Sequence, residues 1–202
     1  GEVEFWRHAA NGLGESTHRI LADHAPAIER GVEMSEYLGV EVNIASNDEA
    51  HREFLETAGQ GRLALQQCSA CEKLRYPVMT ACPFCTSSEF SWADVSGRGT
   101  IYSYEYVMHP IHPAYRERAP YPIVLVELDE QREFPTPDDG LRLVSSLVDA
   151  EGNPAPEESC AIGVRVEVEF ADLGDDLALP RFRLASEQPG AGEVWRYGDV
   201  AK

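Results

Sequence analysis

Cys68, Cys71, Cys82 and Cys85 form two CxxC pairs, CSAC and CPFC, with ten residues between them. Two intervening residues let both thiolates of a pair turn toward one ion, and a second pair completes a tetrahedron. This is the pattern of a zinc ribbon. Four thiolates leave no open coordination position, so a Zn2+ held by these residues is structural and activates no water. The alternative for the same cysteines is a disulfide framework, which suits an oxidising compartment. Cys160, in SCAIG ahead of a strand, reads as a small buried residue rather than a nucleophile.

A zinc ribbon raises the thought of nucleic acid, and composition argues against it. Seventeen basic residues face thirty-five acidic ones, for a formal charge of −18, and the lysines are Lys73 and Lys202 alone. Phosphate neutralisation needs clustered Lys and Arg. Nucleic-acid binding is therefore the alternative reading, and the expectation is no nucleic-acid partner. No apolar run approaches the roughly eighteen residues of a membrane span. No cationic-then-apolar leader opens the sequence. The expectation is a cytoplasmic protein with no membrane partner.

The chain divides into four parts. Residues 1–62 read as a helical extension, 63–96 as the ribbon, 97–185 as a β-domain and 186–202 as an irregular tail. In the extension, one helix is predicted around Val3 to Ala10 and another from Ser16 to Pro26. The stretch from Met34 to Val42 is ambiguous. A better-defined helix begins with a Ser46–Glu49 capping box, faces inward with Phe54, Leu55 and Ala58, and ends at Gly59 and Gly61. Beyond Gly97 five strands are predicted: Thr100–Met108, Pro122–Leu128, Leu141–Val148, Val164–Phe170 and Leu177–Leu184. IVLVEL is apolar enough for burial on both faces. Five antiparallel strands of this length suit a closed Greek-key barrel of the OB type, with an open sandwich as the alternative. Trp195 and Tyr197 give the tail a docking contact.

The motifs LxLQxC, SACxxLRYP, CPxC, SGRGTIYSY, APYPIVLVELDE and LALPRFR, in this order, resemble one family over about residues 47–185. It joins a rubredoxin-like zinc ribbon to an OB-fold barrel, was first catalogued as a domain of unknown function, and is tied to acyl-CoA metabolism. The resemblance implies a mainly β fold and a non-catalytic accessory subunit of a thiolase-like enzyme. Thiolysis, acyl transfer and retro-aldol cleavage are the reactions it brings into view. It further implies a thiolase-like catalytic partner, a two-plus-two heterotetramer, and a coenzyme A thioester as ligand of the complex. A free-standing acyl-CoA binding protein is the remaining alternative. The residues agree with an accessory role, because no GxSxG, Walker loop or HExxH is present and no cysteine–histidine pair is evident.

Under that resemblance the candidates for contact with coenzyme A are Arg75, Tyr76, Arg98, Tyr104, His109, Arg181 and Arg183. Arg75 and Tyr76 lie beside the first knuckle. Arg98 stands between Gly97 and Gly99, where absent side chains permit close approach. Tyr102, Tyr104 and Tyr106 recur at period two and so share a strand face, which is a stacking platform if it lies outside the barrel. The alternative sets the rings in the core with their hydroxyls at the rim, and a partly buried face is the expectation. His109 and His112 lie in the loop MHPIHPAY with Arg116 and Arg118, without the helical spacing of a catalytic zinc pair. Arg181 and Arg183 share a face of the last strand. Ordinary salt bridges explain the arginines equally well.

Overall fold

The computed structural model describes residues 33–44 and 48–197. The two helices predicted between Val3 and Pro26 lie outside the described residues. The ambiguous stretch that follows is a β-hairpin, β1 (Glu33–Tyr37) paired antiparallel with β2 (Val40–Ile44). Leu38 and Gly39 both have positive φ, 56° and 78°, which is the backbone of a two-residue type I′ turn. Tyr37, Val42 and Ile44 pack on the main core.

Helix α1 (Glu49–Gly59) follows, with the predicted inner face: Phe54, Leu55 and Ala58 are buried. Its cap differs from the expected capping box. Asp48 is the N-cap and accepts a hydrogen bond from the His51 N–H at 3.0 Å, while Ser46 lies outside the described residues. Asp48 serves because a carboxylate there both satisfies a free N–H and meets the positive end of the helix dipole. Gly59 does more than end the helix, since a Cβ there would fall 1.9 Å from the Asp176 carbonyl oxygen. That close approach seats α1 against the last barrel hairpin.

The ribbon is a three-stranded sheet of β3 (Leu63–Cys68), β4 (Leu74–Arg75) and β5 (Phe90–Val95), in the order β4-β3-β5. The second domain is a closed barrel of β6 (Arg98–Val107), β7 (Tyr121–Leu128), β8 (Arg142–Val148), β9 (Arg165–Gly174) and β10 (Leu177–Leu184). Around the barrel the order is β10-β8-β7-β6-β9. All five predicted strands are present. The closing pair, β8 with β10, is parallel rather than antiparallel, because the chain crosses over to place β9 and β10 on the far side of β6. Ile101, Val124, Val126, Leu128, Val166 and Phe182 fill the interior at 0% exposure. IVLVEL is not buried on both faces, since Ile123 and Leu125 turn outward and stay half-buried. Its apolar outer residues belong to a surface rather than to a second core.

Candidate metal centre and ligand-contact residues

Each cysteine pair sits on a tight turn closed by backbone hydrogen bonds. The Glu72 N–H donates to the Cys68 carbonyl at 2.8 Å and the Cys68 N–H to the Lys73 carbonyl at 3.0 Å. The second turn repeats this, with Thr86 N–H on the Cys82 carbonyl and Cys82 N–H on the Ser87 carbonyl, both at 2.8 Å. Glu72 and Thr86 hold positive φ, 61° and 65°, at equivalent places in the two turns. The backbone therefore makes two matching knuckles.

The four sulfurs lie within 4.8 Å of one another, with Cys68 and Cys85 Sγ at 3.5 Å and Cys71 and Cys82 Sγ at 3.6 Å. A tetrahedral Zn2+ with Zn–S bonds of about 2.3 Å sets its sulfurs about 3.8 Å apart. The donor set and spacing fit structural zinc. No other cluster of metal-ligating side chains occurs among the described residues. A hydrogen bond from the Cys71 N–H leads the effects that lower the Cys68 thiol to about 6. Burial raises Cys82, but N–H groups of Phe84 and Cys85 outweigh it and the thiol ends lowered. For Cys85 the Ser87 N–H lowers the thiol, yet sharing a proton with Cys68 and burial push it up to about 12. Crowded sulfurs thus divide into early and late thiolates, and a divalent ion resolves their competition.

The seven candidate coenzyme A residues do not converge on one site. Arg75 is 2% exposed, inside the ribbon, where its Nε donates to Gln66 Oε1 at 3.0 Å and its guanidinium lies 5.0 Å from the Phe90 ring centroid. Tyr76 packs against Phe54 of α1, and burial raises its hydroxyl pKa. These two residues share a shallow cleft between ribbon and barrel. Arg98 and His109 are exposed. Arg181 is buried under the β1–β2 hairpin and ion-paired to Glu169, and it lines a second cleft with Arg118, Tyr37 and Tyr115. Arg183 pairs with Glu167 at 2.8 Å in solvent. Both arginines do project from one face of β10, each opposite a glutamate of β9.

Two expectations about local geometry are overturned. Tyr102, Tyr104 and Tyr106 do not share a face. The pairing with β7 jumps from Ile101–Val126 to Ser103–Leu125, so Tyr102 is the extra residue of a β-bulge. The bulge shifts the phase, and Ile101 and Tyr104 both point into the barrel. Tyr102 stays 44% exposed beneath the Arg142 guanidinium, 3.6 Å from its ring centroid. The glycines around Arg98 do not open space for a ligand. A Cβ on Gly97 would fall 2.1 Å from Val168 Cγ1, and one on Gly99 would fall 2.5 Å from the Glu127 carbonyl oxygen. Their close approach is to the barrel itself.

Sequence reasoning missed a third cleft, of about 510 Å³, along β6 and β7, lined by Tyr104, Tyr106, Ile123, Leu125, Val144 and Tyr197. The tail borders it. Trp195 bridges to Ile162 through two backbone hydrogen bonds, and the Tyr197 N–H donates to the Tyr104 hydroxyl at 3.0 Å. The outward apolar residues of IVLVEL are the sequence signal for this surface. Cys160 is buried as expected, and burial raises its thiol pKa. Among the described residues no helix is long and apolar enough to cross a membrane.

A model of the ChsH2 rubredoxin-like zinc ribbon domain matches residues 56–91, and a model of the ChsH2 C-terminal OB-fold domain matches residues 92–171. Over 135 residues the chain is 38% identical to a Thermomonospora curvata protein called a probable enoyl-CoA hydratase alpha subunit. That match covers 67% of this chain but only 37% of the relative, so the chain spans little more than a third of its length. Over 111 residues it is 30% identical to a Methanocaldococcus jannaschii DUF35 domain-containing scaffold protein, covering 54% of this chain and 68% of that one. A solved structure described as an Ltp2-ChsH2(DUF35) aldolase superposes with a TM-score of 0.54 at 34% identity, covering 68% of this chain and 95% of that chain.

Proposed function

We propose a function from one premise: the chain belongs to the DUF35 family, in its ChsH2 form of a rubredoxin-like zinc ribbon followed by an OB-fold domain. It is the non-catalytic zinc-binding subunit of a thiolase-like complex acting on an acyl-CoA. One observation carries this reading: the match covers 95% of a chain, at 34% identity, in a structure described as an Ltp2-ChsH2(DUF35) aldolase. The closed tetrathiolate fits the role, because it stiffens a scaffold and offers no site for substrate.

What the chain contributes is shape. Zinc locks the two knuckles, α1 packs on the ribbon and barrel, and the clefts present fixed side chains to a neighbouring subunit. The arginine and tyrosine candidates for coenzyme A are divided among separate clefts and open surface. A coenzyme A seat built from them is therefore completed by residues of the catalytic subunit, in a two-plus-two assembly in the cytoplasm.

Co-expression with a thiolase-like chain, followed by affinity capture and mass measurement, tests the assembly. The expected result is a stoichiometric complex that binds coenzyme A more tightly than either chain alone. Thioester turnover at enzymatic speed by the isolated zinc-loaded chain would overturn the reading. A low-salt gel shift with DNA or RNA would favour the nucleic-acid alternative instead.

A further inference from the structure

The cleft beside the β1–β2 hairpin is lined by a cation that the chain's own carboxylates leave unpaired. Among the described residues the Arg118 guanidinium makes no ion pair and no hydrogen bond, whereas the arginines of β8, β9 and β10 all pair with acids. Thirty-five acidic residues against seventeen basic ones make a vacant arginine informative. Arg118 ends the short 3-10 turn Pro113–Arg118 and is half-buried, so its charge is reachable from solvent. His112 sets this turn. Its Nδ1 accepts from the Ala114 N–H at 3.3 Å, and its ring centroid lies 5.7 Å from that of Tyr115. Arg118 thereby becomes part of the cleft wall.

Phenol groups surround that charge. Tyr37 comes from the hairpin, Tyr115 from the turn and Tyr121 from the start of β7, and all three are half-buried in the same cleft. The Tyr115 and Tyr121 ring centroids are 6.3 Å apart. Burial leads the effects that raise the Tyr115 hydroxyl pKa, Tyr37 and Tyr121 add to it, and Arg118 opposes them, so the four groups share one electrostatic neighbourhood. Neither the Tyr115 nor the Tyr121 hydroxyl has a hydrogen-bond partner among the described residues. Arg181 also lines the cleft, but Glu169 takes its charge, and its Nη1 donates to the Gly152 carbonyl at 3.3 Å. Buried Pro122, Leu147 and Val148 complete an apolar wall.

These groups select a ligand. Unused donors call for an acceptor, one unmatched guanidinium calls for a single negative charge, and the rings call for a flat apolar body. A dianion fits less well, because Glu117 lines the adjoining groove with Arg118 and the chain's formal charge is −18. The cleft holds about 180 Å³. That is below the roughly 300–1,000 Å³ of drug-sized sites and suits one ring with one charged group.

We propose that this cleft binds a small aromatic monocarboxylic acid, its carboxylate held by Arg118 and by the Tyr115 and Tyr121 hydroxyls, its ring against Tyr37 and Leu147. Such a ligand touches hairpin and barrel at once and clamps one on the other. The site stands independently of the assembly reading.

Sodium benzoate is the probe. It is titrated into the full zinc-loaded chain carrying 13C-labelled tyrosine rings, and the Tyr115 and Tyr121 signals are followed. A saturable shift in the millimolar range is expected, roughly tenfold weaker in Arg118→Ala, which loses the charge and the planar fork. Arg118 has no partner in the fold, so the melting temperature should hold. Benzamide, with the ring but no charge, and acetate, with the charge but no ring, should each bind roughly tenfold more weakly than benzoate. Occupancy should also slow amide exchange in the β1–β2 hairpin. Absence of a saturable shift at tens of millimolar benzoate overturns the site, as does a shift that Arg118→Ala leaves unchanged. Equal binding of benzamide or of acetate overturns the ligand class, and these comparisons on the unaltered chain decide it even where the substitution perturbs the fold. Coenzyme A is the phosphate comparator, and a tighter shift with it than with benzoate overturns the monocarboxylate assignment. Unchanged hairpin exchange at saturation overturns the clamp. Failure of the unaltered chain to capture a catalytic subunit sinks the assembly reading alone.

Discussion

Gln131 holds Leu74 by both of its backbone groups. Its Nε2 donates to the Leu74 carbonyl at 3.0 Å, and its Oε1 accepts from the Leu74 N–H at 2.8 Å. A side-chain amide from the loop after β7 therefore behaves as one more strand residue beside β4. The partners are 6% and 8% exposed, so water cannot replace either bond. This is how the barrel grips the ribbon, and it fixes one wall of the cleft that contains Arg75.

Removing that grip should loosen the ribbon without harming the barrel. Gln131→Ala leaves two buried backbone groups unsatisfied, at about 1–3 kcal/mol each. Amide exchange should accelerate at Leu74 and Arg75 while Val124 and Val126 remain protected, and the urea midpoint should fall. Uniform acceleration in both domains would show instead that the contact supports the whole fold as one unit.

Zinc supplies a larger share. Structural sites of this kind contribute about 10–16 kcal/mol in apparent terms near neutral pH. Cys68→Ala or a strong chelator should disorder the ribbon and abolish subunit capture, read by metal content and near-ultraviolet circular dichroism. The metal-free thiols carry a pH signature. Cys85 keeps its proton until about 12, whereas Cys68 loses its own near 6. Zinc must expel the retained protons, so affinity should rise with pH across the neutral range. Calorimetry in buffers of different ionisation enthalpy should register that release, and a pH-independent affinity would contradict it.

The knuckles and barrel strands were legible because their signals are local: CxxC spacing for the turns, and alternation such as Val164, Val166, Val168 and Phe170 for the strands. Three features were not. The bulge at Tyr102 is dictated by how β6 must bend to pair with both β7 and β9, a demand of barrel closure that no run of three tyrosines reveals. Gln131 acts across 57 residues of sequence, and an isolated glutamine in a charged stretch carries no sign of it. The Glu33–Ile44 hairpin is too short for periodicity to separate it from a helix, although Leu38-Gly39 marks its turn. The candidate contact residues dispersed for a related reason: residue type suggested binding, while burial was decided by partners elsewhere, as with Arg181 and Glu169.

Asp129 gives the barrel an acid-sensitive contact. Its hydrogen bond from Arg165 is the leading reason that its carboxyl lies below the ordinary 3.8, with Arg132 adding to it. A depressed carboxyl stabilises the fold above its ordinary value, and that contribution is lost as pH falls through the lowered value. Asp129→Asn should therefore be less stable than the unaltered chain at neutral pH, with the difference shrinking below about pH 4. The pair is a third exposed, so the effect is small, well under that of a buried ion pair. Thermal melts across pH would check it, and a constant difference at every pH would assign the loss to packing instead.

The Gly97-Arg98-Gly99 segment separates a structural reading from a binding one. A Cβ at position 99 would lie 2.5 Å from the Glu127 carbonyl oxygen and 2.6 Å from Val126 Cγ1, within the first barrel pairing. Relief requires β6 to move away from β7, where Gly99 faces Leu128. Gly97 has φ of +68° as well as Val168 against it, so a side chain there meets both backbone strain and a clash. Gly97→Ala and Gly99→Ala should each cost about 1–3 kcal/mol or more, as overpacking does. Arg98 is exposed, and its backbone N–H bonds to Ser96 Oγ at 3.1 Å. Arg98→Ala should change stability by no more than about 0.5 kcal/mol. If it leaves the melt untouched yet weakens coenzyme A binding by the assembled complex, Arg98 is a ligand contact carried on a rigid joint. If binding is also untouched, the three residues serve only to turn the chain from ribbon into barrel.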